Sequence, residues 1–175
     1  MSELARQAVA YEDQPSLSAS TLEQIRAQAE ALPDPRSAVM RALYMAQAEH
    51  GWVCRKAMEQ IAASLQMDPG YVEGVATFYT LYFKKPVGRH QFFLCTTLSC
   101  ALRGAEELRE HLLQQLEVKE LGDTSADGLF TAFEVECLGC CEYAPVLRLD
   151  NEFHFDLTVD ELDRLIEERR AQQVR

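Results

Sequence analysis

Residues 92–100 read FFLCTTLSC, a short apolar run that leads into two cysteines separated by four residues. An apolar run of this length predicts a buried strand. The leucines spaced through residues 101–117 predict a helix directly after it. Cys95 and Cys100 therefore lie where a strand meets a helix, and this arrangement sets the expected fold of the second half of the chain.

A second cysteine motif, CLGCC at residues 137–141, follows residues 130–136, which alternate as a strand does. Cysteine pairs at the ends of two strands can converge on one point, and four thiolates are the ligands that a 2Fe–2S cluster needs. Gly139 permits a positive φ and a close approach of backbone N–H groups to sulfur. We also expect a helix dipole to favour the thiolate of Cys100.

Two other chemistries fit cysteines at these spacings. Structural zinc accepts C-x4-C together with either C-x2-C or C-x3-C. A thiol–disulfide oxidoreductase would use Cys137 and Cys140, although such a redox pair normally follows the first strand of its fold. Cys54 stands alone in the first half and is expected to be a buried core thiol.

The rest of the second half predicts a mixed sheet with helices. Two short strands are expected, one before and one after the two-residue turn Asp150-Asn151. Thr158 and Glu161 form a capping box that opens a C-terminal helix. The resulting order, β-α-β-β-β-α, suits a small thioredoxin-like α/β domain with two helices on a mixed sheet.

The first half of the chain predicts helices. Helix starts are indicated by Ser20 with Glu23 in a capping box, by Asp34-Pro35 and by Asp68-Pro69-Gly70, with another helix expected over residues 55–65. The last helix is expected to carry an apolar stripe formed by Val72, Val75, Phe78, Tyr79 and Tyr82.

The run KKPVG at residues 84–88 predicts a break in the chain. We therefore predict an α+β protein with an N-terminal tail over 1–17, a helical bundle domain over 18–88 and a thioredoxin-like α/β domain with a mixed sheet over 89–175.

Charge and cysteine content limit the possible functions. The chain has 17 basic and 28 acidic residues, a net charge of −11, which argues against binding to nucleic acid or to anionic lipid. No apolar run is long enough for a spanning helix, and the acidic N-terminal residues do not suit a targeting signal. We expect a cytosolic protein, whose six cysteines are then more often metal ligands or redox groups than disulfides.

A family resemblance extends from about residue 18 to residue 170. It is carried by CTTLSCALRGAEEL from Cys95, by ADGLFTAFEVECLGCCEYAPVLRLDNEFHFDLT from Ala126, and by AEHGW and VATFY in the helical half. These segments resemble the thioredoxin-like 2Fe–2S ferredoxin subunit of NADH:quinone oxidoreductase, respiratory complex I.

The resemblance implies which residues hold the cluster. The motif of this family is C-x4-C with C-x3-C, which gives the ligands Cys95, Cys100, Cys137 and Cys141. Cys140 then lies inside the second motif as a spare thiol. Spacing alone leaves open whether Cys140 replaces Cys141. Gly139 and Pro145 are expected near the cluster.

The resemblance also implies an electron-transfer role without a catalytic acid, base or nucleophile on this chain. FMN and NADH would be held by a partner flavoprotein subunit, which exchanges single electrons with the one 2Fe–2S cluster. Further subunits of the peripheral arm would complete the enzyme, on the cytoplasmic side of the inner membrane. Related subunits serve NAD-linked hydrogenases and formate dehydrogenases. A cluster-bearing redox-sensing regulator is another hypothesis, because residues 61–78 have helix–turn–helix spacing, but this segment lacks basic residues.

Overall fold

A computed structural model describes residues 9–172, and the chain divides between Pro86 and Val87 into two compact units. Residues 1–8 of the predicted tail and residues 173–175 of the second predicted domain lie outside the described residues. None of the helices in the described range is both long and apolar enough to cross a membrane.

The first unit consists of helices. Their bounds are α1 Ala19–Glu30, α2 Val39–His50, α3 Arg55–Ser64 and α4 Pro69–Phe78, with a 3-10 turn at Pro35–Ala38 leading into α2. Asp34 and Asp68 cap the 3-10 turn and α4 through their side chains, as predicted. The buried side chains form one core, which includes Ile25, Leu43, Ile61 and Val72.

Two details of the helical prediction were wrong. The N-cap of α1 is Ser18 and not Ser20, because the Ser18 hydroxyl accepts the Thr21 N–H at 3.2 Å. Helix α4 ends at Phe78, whose side chain is 78 % exposed, and the backbone becomes extended at Tyr79. Tyr82 is still fully buried, and its hydroxyl donates to the Met40 carbonyl at 2.9 Å.

The described residues of the predicted tail, 9–17, pack on helix α3. The Tyr11 hydroxyl donates to the Glu59 carboxylate at 2.6 Å, and the Leu17 N–H donates to Gln60 Oε1 at 2.9 Å. The Leu17 side chain is buried in the core of this unit. This segment is therefore bound to the helical unit.

The second unit contains a mixed sheet. Its strands are β1 His90–Cys95, β2 Phe130–Val135, β3 Leu147–Leu149 and β4 Glu152–His154, and the spatial order is β2-β1-β3-β4. Strands β1 and β2 run parallel, while β3 is antiparallel to both of its neighbours. The turn at Asp150 and Asn151 joins β3 to β4, as predicted.

Three helices accompany this sheet: α5 Leu98–Leu102, α6 Ala105–Gln115 and α7 Val159–Gln172. Alternate residues of the strands point into a core shared with α6 and α7, the largest members being Phe92, Leu94, Phe130, Leu112, Leu129, Leu147, Leu149 and Leu162. The mixed sheet with helices agrees with the predicted fold class.

The single helix predicted over residues 101–117 was wrong. The helical segment breaks at Arg103 and Gly104, where Gly104 has a φ of 96° that favours glycine, and α6 starts afresh at Ala105. Leu102, the last residue of the short helix α5, is 77 % exposed instead of buried.

Gly88 lies against the backbone of β2, and we predict that Gly88→Ala destabilises the protein. An added Cβ would lie 2.5 Å from the carbonyl carbon of Phe130, a backbone atom that cannot move independently of the sheet. We expect a loss of about 1–3 kcal/mol in the free energy of unfolding, as for other overpacked sites. Urea unfolding followed by circular dichroism measures it.

Gly74→Ala is the matched control. A Cβ at Gly74, inside α4, meets no atom within 4 Å, so alanine should add about 0.4–1 kcal/mol of stability. Equal unfolding midpoints for Gly88→Ala and the unmodified protein would contradict the close packing described here.

Candidate metal centre

The parallel strands β1 and β2 bring two cysteine motifs to the same edge of the sheet. Cys95, the last residue of β1, is aligned with Val135, the last residue of β2, and Cys137 follows two residues later. Cys100 is the third residue of α5. Cys141 begins a 3-10 turn that runs to Tyr143.

The structure organises these four cysteines as two pairs. The sulfurs of Cys137 and Cys141 are 3.3 Å apart. Cys95 and Cys100 pack in one buried cluster, and each affects the pKa of the other. Cys95 and Cys100 are buried, whereas Cys137 and Cys141 are exposed. The centre thus has one inner pair and one outer pair.

Backbone N–H groups point at the sulfurs of both pairs. Gly139 has the positive φ expected of it, 80°, and its N–H donates to Cys137 Sγ at 3.3 Å. Backbone hydrogen bonds from Thr97 and Leu138 reach Cys95, and one from Val146 reaches Cys100. Donors of this kind stabilise negative charge on sulfur, which is what bound thiolates carry.

Within the inner pair, burial and hydrogen bonding have opposite effects on the pKa of Cys95. Burial disfavours the Cys95 thiolate, but hydrogen bonds from Thr97, Leu138 and Cys100 outweigh burial and lower the pKa of Cys95. For Cys100, burial is the main cause that raises the pKa to about 11, and the hydrogen bond to Cys95 adds to it. The helix that Cys100 was expected to open, α5, is only five residues long, and Cys100 is its third residue.

The outer pair shows the same division between an acceptor and a donor. The Gly139 N–H is the largest cause that lowers the pKa of Cys137, followed by the hydrogen bond from Cys141. The pKa of Cys141 is raised, first by that hydrogen bond and then by the charge of Cys137. In each pair, one thiol therefore has a lowered pKa and loses its proton before the other.

The donor set fits an iron–sulfur cluster. Four cysteine thiolates select soft metal centres, and a 2Fe–2S cluster takes two thiolates at each iron. In the part of the chain that the structure describes, no three His, Cys, Asp or Glu side chains surround one point as ligands of a single ion would. The four cysteines stand in two pairs.

The other predicted site residues lie around the two pairs. Cys140 is half-buried, and its thiol is directed at the Leu138 carbonyl, 3.8 Å away. Cys137 therefore pairs with Cys141, not with Cys140. Pro145 is buried and follows a cis peptide bond with Ala144, which packs together with Cys95 and Cys100.

Cys54 lies in the first unit, apart from the other cysteines in sequence. It is buried, as predicted, and its sulfur accepts the Ala57 N–H at 3.3 Å as the N-cap of α3. This cysteine thus has a structural role in the helical unit.

Two functional side chains escaped the sequence analysis, the hydroxyls of Thr97 and Ser99. Thr97 Oγ1 lies 3.1 Å from Cys95 Sγ and also lowers the pKa of Cys137. The Ser99 side chain acts to lower the pKa of Cys141, against the larger effects of Cys137 and burial. Three of the four residues between Cys95 and Cys100 carry hydroxyls, but their spacing does not indicate which of them approach the sulfurs.

Comparisons with known proteins agree with this geometry. The family model described as thioredoxin-like [2Fe-2S] ferredoxin matches residues 23–170. An NADH-quinone oxidoreductase subunit of Rhizobium meliloti (strain 1021) is 44 % identical over 149 residues, covering 85 % of this chain and 88 % of the relative. The corresponding NADH-quinone oxidoreductase subunit of Escherichia coli (strain K12) is 37 % identical over 151 residues, covering 86 % and 90 %.

A solved structure shares the fold. It is an NAD+-reducing [NiFe]-hydrogenase in the air-oxidised state, with a TM-score of 0.67, 23 % identity and coverage of 77 % of this chain and 23 % of that chain. At this identity the match concerns the fold alone. The family model covers most of the chain, and so the chain belongs to the thioredoxin-like [2Fe–2S] ferredoxin family.

Proposed function

We propose that this chain is the electron-transfer subunit of an NADH:quinone oxidoreductase and that it exchanges single electrons with the FMN of a partner flavoprotein subunit. Two cysteine pairs, Cys95 with Cys100 and Cys137 with Cys141, lie at the edge of the sheet where strands β1 and β2 end. This observation carries the proposal. The relatives named as subunits of NADH-quinone oxidoreductase, at 37 % and 44 % identity, support the choice of enzyme.

The ligands in this proposal are Cys95, Cys100, Cys137 and Cys141. Each pair would hold one iron after losing its two protons, which is the stoichiometry of a [2Fe–2S] cluster. When bound, the cluster supplies a site that accepts and returns one electron. The spare thiol of Cys140 points to a backbone carbonyl and is left out of the ligand set.

The residues of the chain hold and orient the sulfurs, and they supply no proton. The N–H groups of Thr97, Leu138, Gly139 and Val146 donate to sulfur, so that they stabilise the additional negative charge after reduction. Burial of Cys95 and Cys100 keeps water away from the inner pair. Pre-arranged donors of this kind need little rearrangement when the charge changes.

The geometry disfavours the thiol–disulfide alternative. A disulfide between Cys137 and Cys140 would require both sulfurs to leave their present partners, Cys141 and the Leu138 carbonyl. A regulator that binds DNA is disfavoured by the net charge of −11. An equivalent subunit of an NAD-linked hydrogenase or formate dehydrogenase would use the same cluster and remains the second candidate assembly.

The partners and location follow from the same proposal. The flavoprotein subunit would form a heterodimer with this chain, and other subunits of the peripheral arm would join them on the cytoplasmic side of the inner membrane. FMN and NADH would be bound by the flavoprotein and not by this chain.

Serine substitutions test the ligand set. Ser replaces a soft thiolate with a harder oxygen donor, so each of Cys95→Ser, Cys100→Ser, Cys137→Ser and Cys141→Ser should weaken cluster retention by at least about tenfold, as loss of supporting groups does at metal sites. Iron and visible absorbance after gel filtration measure retention. Cys140→Ser is the matched control and should keep both. Cluster loss in Cys140→Ser with retention in Cys141→Ser would reverse the assignment.

Electron exchange with a flavoprotein tests the function. The purified chain is mixed with the FMN-bearing, NADH-oxidising subunit from the same organism, and the visible absorbance of the cluster is followed after NADH is added anaerobically. We expect a stable one-to-one complex and bleaching of the cluster only when both proteins are present. No bleaching in the complex, with the cluster intact and reducible by dithionite, would refute the proposed partner.

A further inference from the structure

The Thr97 side chain has an unusual hydrogen-bond partner for its position at the start of a helix. Thr97 is the N-cap of α5, a position where a threonine hydroxyl ordinarily accepts a backbone N–H of the first helical turn. Here the hydroxyl makes no capping bond. It lies instead 3.1 Å from Cys95 Sγ.

The same hydroxyl lies near both cysteine pairs. It is 3.1 Å from Cys95 Sγ of the inner pair, and it is one of the groups that lower the pKa of Cys137 in the outer pair. The parallel ends of β1 and β2 make this possible, because they place both sulfurs beside the turn that contains Thr97.

The direction of the hydrogen bond follows from the state of the sulfur. Between a thiol and a hydroxyl either group can donate. A metal-bound thiolate has no proton, so only the Thr97 O–H can donate to it. A hydroxyl has one proton, which serves the sulfur of Cys95 or that of Cys137, or is shared between them.

We propose that Thr97 is a positioning residue whose hydroxyl donates to the ligand sulfurs and raises the midpoint potential of the cluster. This inference rests on the proposed function. A one-electron reduction by dithionite adds one negative charge to the cluster and its sulfurs. A hydroxyl donor stabilises the more negative, reduced form more than the oxidised form, and hydrogen bonds to sulfur are one of the determinants of iron–sulfur potentials.

The neighbouring Thr96 provides a matched control within the same turn. Its hydroxyl donates to Glu134 Oε1 at 2.7 Å and so is engaged away from the sulfurs. Thr96 and Thr97 are both partly exposed residues of the segment between Cys95 and Cys100. The two residues differ in the partner of the hydroxyl, which is a sulfur for Thr97 and a carboxylate for Thr96. Comparing them therefore isolates the effect of a hydroxyl beside the sulfur.

The test compares Thr97→Val, Thr97→Ser and Thr96→Val with the unmodified chain. Iron and acid-labile sulfide are measured first in each protein, and the midpoint potential is then determined by anaerobic titration with dithionite. Loss of one hydrogen bond should shift the oxidised-to-reduced equilibrium of Thr97→Val by about tenfold, which is about 59 mV lower for one electron. Thr97→Ser keeps the hydroxyl and should restore the original potential, and Thr96→Val should leave it unchanged.

The measurements separate the presence of the cluster from the role of Thr97. If the unmodified chain contains no iron and sulfide, the proposed function is wrong and the inference falls with it. If all proteins are fully loaded and Thr97→Val matches the unmodified chain, or shifts no more than Thr96→Val, only the role of Thr97 is overturned. If Thr97→Val does not bind a cluster, the midpoint potential of Thr97→Ala is measured in its place. Loss of the cluster in both variants, with retention in Thr97→Ser, also overturns the proposal, because the hydroxyl would then be needed for assembly.

Discussion

The parallel pairing of β1 and β2 is the constraint on which the metal centre depends. Cys95 and Cys137 belong to segments more than 40 residues apart, and only adjacent parallel strands bring their carboxyl ends to the same edge of the sheet. The core beneath, formed with α6 and α7, fixes the register through Phe92, Leu94 and Phe130. A one-residue slip of β1 would turn Cys95 toward the opposite face and separate the two pairs.

The centre combines residues of two environments. The inner pair is buried with Ala105, Ala144 and Val146, whereas the outer pair is exposed on the loop after β2. Each pair contains one sulfur whose pKa is lowered by hydrogen bonds and one whose pKa is raised. Backbone N–H groups and the hydroxyls of Thr97 and Ser99 can donate hydrogen bonds that offset the charge of four thiolates.

Much of this arrangement was predictable from the sequence, because it depends on local signals. The cysteine spacing, the strand before Cys95 and the positive φ of Gly139 are local in this sense, and so are the caps at Asp34 and Asp68. The single helix predicted over residues 101–117 was wrong, because it breaks at Gly104, and the exposure of Leu102 depends on tertiary packing that periodicity along the chain does not contain. The direction of the Thr97 hydroxyl depends on two strands meeting, and spacing along the chain contains no signal for it.

We propose that the two cysteine pairs together hold one [2Fe–2S] cluster. The cluster content is measured by quantitative analysis of iron, acid-labile sulfide and zinc in the full chain, purified anaerobically. We expect two irons and two sulfides per chain and no stoichiometric zinc. One zinc per chain without sulfide, or neither metal in a folded protein, would contradict it.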